Sequence, residues 1–193
     1  MRKSRESDFK IGRYHGKALS SHDKREYKMQ RDLFLIGRAK LIFSKVRTIA
    51  IRFFAYEVPL EEGVNRGRCI DLLAYDDVFN IYIFELKREN GEQLEAAVKQ
   101  IEGYSEEIIK KLPQIEKEFN DSYFFKNISF NKKSVQKIIL APRSYYRKPK
   151  NKNYVRMHAP ADVLFGYFGG IKDGNEMRLL ENGVDCANIH ILR

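Results

Sequence analysis

Cysteine and long apolar runs are scarce in this chain of 193 residues. Only Cys69 and Cys186 are present, too few for a disulfide framework and compatible with a reducing compartment. No apolar run approaches the roughly 18 residues of a membrane helix, and the N-terminal region lacks an apolar signal segment. The chain also contains no CxxC pair, Gly-rich phosphate loop or GxSxG element. We therefore expect a soluble, cytoplasmic protein without membrane partners.

Acidic residues are outnumbered, because 36 Lys and Arg oppose 26 Asp and Glu and give a formal net charge of +10. This excess favours a polyanionic partner. Residues 1–22 read as a flexible basic arm, and residues 143–156 hold six Lys or Arg, three Tyr and no acid. That mixture suits phosphate contact and base stacking, with a functionless surface loop as an equal alternative. The predicted nucleic-acid-binding residues are Arg66, Arg68, Arg88, Arg143, Tyr145, Arg147, Lys148, Lys150 and Lys152.

Two carboxylates fall where a folded hairpin would crowd them together. Residues 68–75 and 80–87 are apolar runs rich in Ile, Leu and aromatic residues, which predicts two antiparallel strands. Folding the hairpin symmetrically about Val78 places Asp71 directly opposite Glu85. Like charges at such a position destabilise the pair. A register slip of one residue would separate them and restore an ordinary solvated sheet end.

A divalent cation bound by Asp71 and Glu85 would offset this repulsion. Oxygen ligands suit Mg²⁺, with Mn²⁺ as a substitute. The main-chain carbonyl of Leu86 is a natural extra ligand, and Glu57 at the end of the preceding strand could supply another carboxylate or simply be solvated. Lys87 shares a strand face with Glu85, so its ammonium would face the same point. The alternative is that these acids and bases form surface ion pairs.

Further elements are predicted around the hairpin. Gln100 and Tyr104 lie four residues apart on one helix face, either in the site or as boundary residues that reach water. The strand that follows this helix should run parallel to the second hairpin strand. The predicted elements are an opening helix from Asp23 to Ile42, a strand over 48–60, a helix over 91–111, a strand over 134–142 and a short helix within 160–168. Pro113 either ends the helix over 91–111 or begins a short second helix.

The ordered set Arg-Cys-Ile-Asp71, Glu85-Leu-Lys87 and Gln100-x-x-x-Tyr104 resembles the PD-(D/E)xK nuclease superfamily. It is most similar to the RecB-like branch with a QxxxY motif and to the nuclease domain of NucS-type endonucleases. Ile70 departs from the proline in the motif's name. The resemblance covers residues 50–141 and implies an α/β, restriction-endonuclease-like αβββαβ core with a mixed central sheet flanked by helices. A single nuclease-like domain would span 23–193, with its motif-bearing core at 48–142.

The resemblance implies a Mg²⁺-dependent endodeoxyribonuclease. Lys87 would orient the attacking water or stabilise the phosphorane charge, Gln100 would hold that water or a metal ligand, and Tyr104 would contact the scissile region. An acid of the opening helix, Glu26 or Asp32, is a further candidate, and the sequence does not choose between them. The alternative function is a non-catalytic nucleic-acid-binding or assembly module. The form of the nucleic acid, DNA or RNA, endonucleolytic or exonucleolytic cleavage and homodimerisation are left open.

Overall fold

Seven strands form a closed barrel in a computed structural model that describes residues 25–60, 69–123, 128–169, 179 and 183–192. The strands follow one another around the barrel in chain order, and β1 closes it against β7. The strands are β1 (Arg38–Ser44), β2 (Arg47–Pro59), β3 (Cys69–Asp76), β4 (Asn80–Leu86), β5 (Asn131–Leu140), β6 (Val163–Phe168) and β7 (Ala187–Leu192). The helices are α1 (Arg25–Ile36), α2 (Leu94–Tyr123), α3 (Arg143–Arg147) and α4 (Pro149–Met157).

The predicted restriction-endonuclease-like architecture, an open sheet between layers of helices, is wrong because the sheet closes on itself. The difference begins at Gly37, whose φ of +74° ends α1 earlier than predicted, since glycine adopts this conformation without strain. The residues up to Ile42, predicted to be helical, instead enter strand β1. That strand pairs antiparallel with β2 and parallel with β7. Residues 163–168, also predicted to be helical, form β6, which joins β5 to β7.

The hairpin of β3 and β4 has the predicted register. Leu72 lies opposite Phe84 and Leu73 lies opposite Ile83, as folding about Val78 requires. Strand β5 is parallel to β4, also as predicted. Because these pairings depend on side-chain alternation and on one crossover helix, they could be inferred from local sequence patterns.

The turn of this hairpin is fixed by one buried carboxylate. Asp76 Oδ1 accepts hydrogen bonds from the backbone N–H groups of Val78 (3.1 Å) and Asn80 (2.9 Å). Its Oδ2 accepts from the Asn80 side-chain amide at 2.8 Å and from the Tyr82 hydroxyl at 3.0 Å. Burial and the hydrogen bond to Asp76 raise the pKa of Tyr82 above its ordinary value. These four bonds hold the start of β4 in place.

Two apolar clusters lie on opposite faces of the barrel wall. The inner cluster takes residues from all seven strands, with Met29 and Leu33 of α1 packed onto it. The outer cluster joins Phe54, Ile81 and other strand residues to α2 and α3. Helix α2 is 30 residues long and continues through Pro113, so the predicted end or break at this proline is wrong. Its apolar residues on both sides of the proline, including Ile108, Leu112, Ile115 and Phe119, are fully buried in the outer cluster.

No helix within the described ranges has the length and apolar character needed to cross a membrane. The predicted basic arm, residues 1–22, lies outside the described residues.

Candidate active site

Asp71 accepts hydrogen bonds through both its side chain and its backbone. Its Oδ2 accepts a hydrogen bond of 2.7 Å from the backbone N–H of Leu86. Its main-chain carbonyl accepts one of 2.5 Å from the side-chain amide of Gln30 on α1. The β3–β4 backbone pairing ends at Leu72 and Phe84, and beyond it the Asp71 carboxylate accepts from the backbone of β4. Asp71 thus ties β3 to the end of β4 that carries the other predicted site residues.

Three carboxylates occupy neighbouring positions across β2, β3 and β4. Extending the β3–β4 register by one residue places Glu85 across from Asp71. On the other side, Tyr56 pairs with Leu72 and Val58 pairs with Ile70, which places Glu57 across from Asp71 in register. Glu57 has a φ of 45°, a conformation uncommon outside glycine. The backbone of β2 is therefore irregular at the point where it passes Asp71.

Lys87 lies between two carboxylates directly after β4. Its ammonium is 2.7 Å from Glu85 Oε1 and 2.5 Å from Glu92 Oε1. Glu85 is 3% and Lys87 7% exposed, so the pair is shielded from solvent. Burial by itself lowers the pKa of Lys87, but attraction to Glu85 and the hydrogen bonds to both carboxylates outweigh it and raise the pKa above its ordinary value. Lys87 is therefore a firmly charged ammonium.

Helix α2 contributes the amide and the hydroxyl of the predicted QxxxY motif. The Lys87 ammonium is 3.4 Å from Gln100 Oε1, and the Gln100 amide nitrogen donates to the Tyr104 hydroxyl at 2.7 Å. Tyr104 is 4% exposed, and its ring belongs to the outer apolar cluster. Residues four apart on a helix are neighbours, so the spacing brings both groups to one face. Glu85, Lys87, Gln100 and Tyr104 thus form one continuous chain of polar contacts.

The segment between Lys87 and α2 is anchored by the two short basic helices. The Tyr145 hydroxyl donates to the main-chain carbonyl of Glu92 at 2.7 Å. Asn151 Oδ1 accepts from the backbone N–H of Leu94 at 3.1 Å, which satisfies one of the free donors at the start of α2. The Lys148 ammonium donates to the main-chain carbonyl of Glu89 and lies 3.3 Å from Asn90 Oδ1. Helices α3 and α4 therefore fix the backbone on which Glu92 is carried.

The predicted nucleic-acid-binding residues have different environments. Tyr145 is fully buried in the outer apolar cluster and its hydroxyl donates to the Glu92 carbonyl, so its ring is not accessible for the predicted stacking on bases. Arg143 is exposed and its guanidinium lies 5.2 Å from the Tyr167 ring centroid. Arg66 and Arg68 lie outside the described residues. Arg88 is exposed, as are the α3 and α4 cations Arg143, Arg147, Lys150, Lys152 and Arg156, while Lys148 is half-buried.

Of the two candidate acids on α1, Glu26 and Asp32, the structure describes the side chain of Asp32. Asp32 is fully buried, and its Oδ1 accepts from the guanidinium of the neighbouring Arg31 at 2.6 Å. The side chain of Glu26 lies outside the described part of the structure. Gln30 of α1, which is 4% exposed, contacts the backbone carbonyl of the predicted site residue Asp71.

Metal binding must be weighed against the donor set that is present. Among the described side chains, no group of three or more His, Cys, Asp or Glu residues is arranged to hold a metal ion. Asp71 and Glu85 nevertheless present carboxylates from adjacent strands beside the main chain of Leu86. Mg²⁺ is commonly held by one or two carboxylates together with waters and substrate phosphates, so a full protein cage is not required. The donors therefore fit a hard cation of this kind.

Sequence reasoning missed Glu92, Gln30 and Asn151. The predicted helix over 91–111 includes Glu92 in its first turn, yet α2 begins at Leu94. The only local signal was an acidic residue five positions after Lys87. Gln30 and Asn151 carried no signal, because their partners lie 41 and 57 residues away along the chain.

A separate cavity of about 350 Å³ lies near the other end of β4, where Arg47, Asp76, Asn80 and Tyr82 contribute to its lining. It includes none of the predicted catalytic residues. Comparisons with protein-family models, with curated proteins and with solved structures find no match to this chain.

Proposed function

We propose that this protein is a metal-dependent nuclease that hydrolyses phosphodiester bonds in DNA. The observation that carries the proposal is the polar chain from Glu85 through Lys87 and Gln100 to Tyr104, with Asp71 at the adjacent register position. Residues remote in sequence, on β3, β4 and α2, supply it. A solvated sheet end would not need a lysine and a glutamate that are both more than nine-tenths buried.

The roles of the chain's own groups follow from this geometry. Asp71, Glu85 and the Leu86 carbonyl would hold Mg²⁺, with Glu57 as a candidate fourth donor. The bound ion would polarise the scissile phosphate and lower the pKa of a water ligand. The charged Lys87 ammonium would stabilise negative charge on the phosphorane. Gln100 fixes that ammonium from the α2 side, and Tyr104 holds the Gln100 amide in its orientation.

Helices α3 and α4 support a nucleic-acid partner. Their exposed Arg and Lys side chains lie on the elements that anchor the segment after Lys87, and this stretch of the chain contains no acid. Because Tyr145 and Tyr146 are buried, the surface offers charge more than stacking. Phosphate contacts of this kind give affinity without strong sequence preference.

The first prediction is cleavage that depends on a divalent cation. The full chain should cut at least one of labelled single-stranded, duplex and branched DNA in Mg²⁺ or Mn²⁺, and EDTA should abolish the reaction. The same assay with RNA substrates measures whether the protein prefers deoxyribose or ribose in the nucleic acid. If DNA is bound equally well in Mg²⁺ and EDTA and no substrate is cut, the non-catalytic binding module is the correct function. The two ion pairs of Lys87 favour that second candidate, because two carboxylates of the chain itself already balance the positive charge of the lysine.

The second prediction concerns the basic helices. Replacing Arg147, Lys150 and Lys152 together by Ala should weaken DNA binding and reduce the slope of log affinity against log salt by about 2 to 3, since each phosphate contact contributes about 0.9. Fluorescence anisotropy at several salt concentrations measures both quantities.

The matched control replaces Lys40, Lys45 and Arg47, three exposed cations of the β1–β2 hairpin, and lowers the net charge equally. If the two triple variants lose the same affinity and slope, DNA does not use the α3–α4 surface.

A further inference from the structure

The two carboxylates that contact Lys87 differ in accessibility. The Glu85 side chain is 4% exposed, whereas the Glu92 side chain is 43% exposed. Glu85 belongs to β4, which is paired with β3 and β5 in the barrel wall. Glu92 lies in the segment before α2, and its carboxylate reaches the ammonium from the solvent side. Of the two partners, only Glu92 can be replaced by an incoming anion without opening the barrel.

The backbone at Glu92 is fixed while its side chain has room to move. The Tyr145 hydroxyl holds its main-chain carbonyl, and Asn151 holds Leu94 two residues later. Displacement of the carboxylate from Lys87 therefore requires rotation of one side chain and no change in the α2–α4 contact.

We propose that the Glu92 carboxylate occupies the position on Lys87 that a substrate phosphate takes, so that nucleic acid binds by displacing it. Carboxylate and phosphate oxygens both accept charge-assisted hydrogen bonds from an ammonium. They also repel each other, so the two anions compete for this cation. The proposal rests on the proposed function only in taking the arriving anion to be a nucleic-acid phosphate.

The competition lowers the affinity for DNA and can be relieved by substitution. Glu92→Gln removes the competing charge but keeps an oxygen for Lys87, and Glu92→Asp keeps the charge but withdraws it by one methylene. Glu92→Gln should lower the Kd for DNA by about 2- to 5-fold, because partly exposed ion pairs contribute up to about 1 kcal/mol and 1.4 kcal/mol is tenfold. Glu92→Asp should shift Kd in the same direction by a smaller factor.

The test is fluorescence anisotropy with labelled duplex and single-stranded DNA in EDTA, which separates binding from cleavage. The matched control is Glu89→Gln, which makes the same charge change at an exposed residue of the same segment. Melting temperatures within a few degrees of the parent verify that each variant is folded.

The outcomes separate this proposal from the nuclease assignment. If neither Glu92 variant binds DNA more tightly than Glu89→Gln, the competition proposal is overturned even where the parent protein cleaves DNA. If both Glu92 variants bind more tightly while no protein cleaves, Glu92 keeps its role and the nuclease assignment falls. Tightening by Glu89→Gln equal to that by Glu92→Gln shows general charge repulsion and also overturns the proposal.

Discussion

Replacing Glu85 by Gln is expected to reduce metal-dependent cleavage of DNA by at least about 100-fold, the scale on which single groups that stabilise transition-state charge act. Affinity for DNA should stay within about threefold of the parent, because Glu85 is buried and the substitution leaves the exposed Arg and Lys side chains of α3 and α4 unchanged. The reason for the selective loss is that Gln preserves shape but lacks the charge that would hold Mg²⁺. Rates under single-turnover conditions and Kd values in EDTA measure the two effects.

The Glu85→Gln substitution allows a loss of catalysis to be distinguished from a loss of folding. In Glu85→Gln, the new amide oxygen can still accept from Lys87, and Lys87 retains its contact with Glu92. Asp71→Asn is a less selective variant, because Asp71 Oδ2 also accepts from the backbone of Leu86 and so supports the end of β4. Glu89→Gln is again the charge-matched control and should cleave at the parent rate. Retention of more than half of the parent rate by Glu85→Gln would refute the site assignment.

Replacing Phe54 by Ala is expected to lower the free energy of unfolding by about 3 to 5 kcal/mol, the usual cost of deleting a buried aromatic ring. Phe54 is fully buried in β2, where its ring centroid lies 5.3 Å from that of Phe119 and 5.4 Å from that of Phe130. Removing it leaves a cavity between the barrel wall and α2. Chemical denaturation followed by circular dichroism measures the change.

Two further variants make this stability measurement interpretable. The leucine of Phe54→Leu fills part of the cavity, so this variant should lose less of the free energy of unfolding than Phe54→Ala. Val46→Ala, at a side chain that is 95% exposed, should stay within about 0.5 kcal/mol of the parent. If the free energy of unfolding of Phe54→Ala lies within 1 kcal/mol of that of the parent, Phe54 does not link the barrel to α2 as the structure indicates.

The hairpin and the motif helix could be predicted because their signals are short in range. Alternating apolar residues on both sides of Val78 determine which residues face each other, and the β3–β4 register follows from that alternation. Gln100 and Tyr104 share a helix face through their spacing of four. The boundaries of helices and strands were harder to predict from the sequence. The apolar spacing that predicted a helix up to Ile42 continues into β1, where Leu41 is buried in the barrel instead.

The nucleic-acid surface was also only partly predictable from the sequence. Composition identified a basic, aromatic segment at residues 143–156, but it could not separate exposed from buried side chains. The cations Arg147, Lys150 and Lys152 are exposed, whereas Tyr145 and Tyr146 are buried and bonded to backbone carbonyls. A tyrosine can serve as core or as a stacking surface, and its tertiary neighbours decide which.

The sequence by itself determined the β3–β4 register in which Leu72 lies opposite Phe84, because that register depends on alternation within one hairpin. Only the tertiary structure decided that the sheet closes, since Ala39 of β1 must pair with Ala187 of β7, at nearly the other end of the chain. It also decided that Glu92 contacts Lys87, because α3 and α4 hold the backbone there through Tyr145 and Asn151. Contacts between distant segments depend on packing of the whole chain, which local periodicity does not encode.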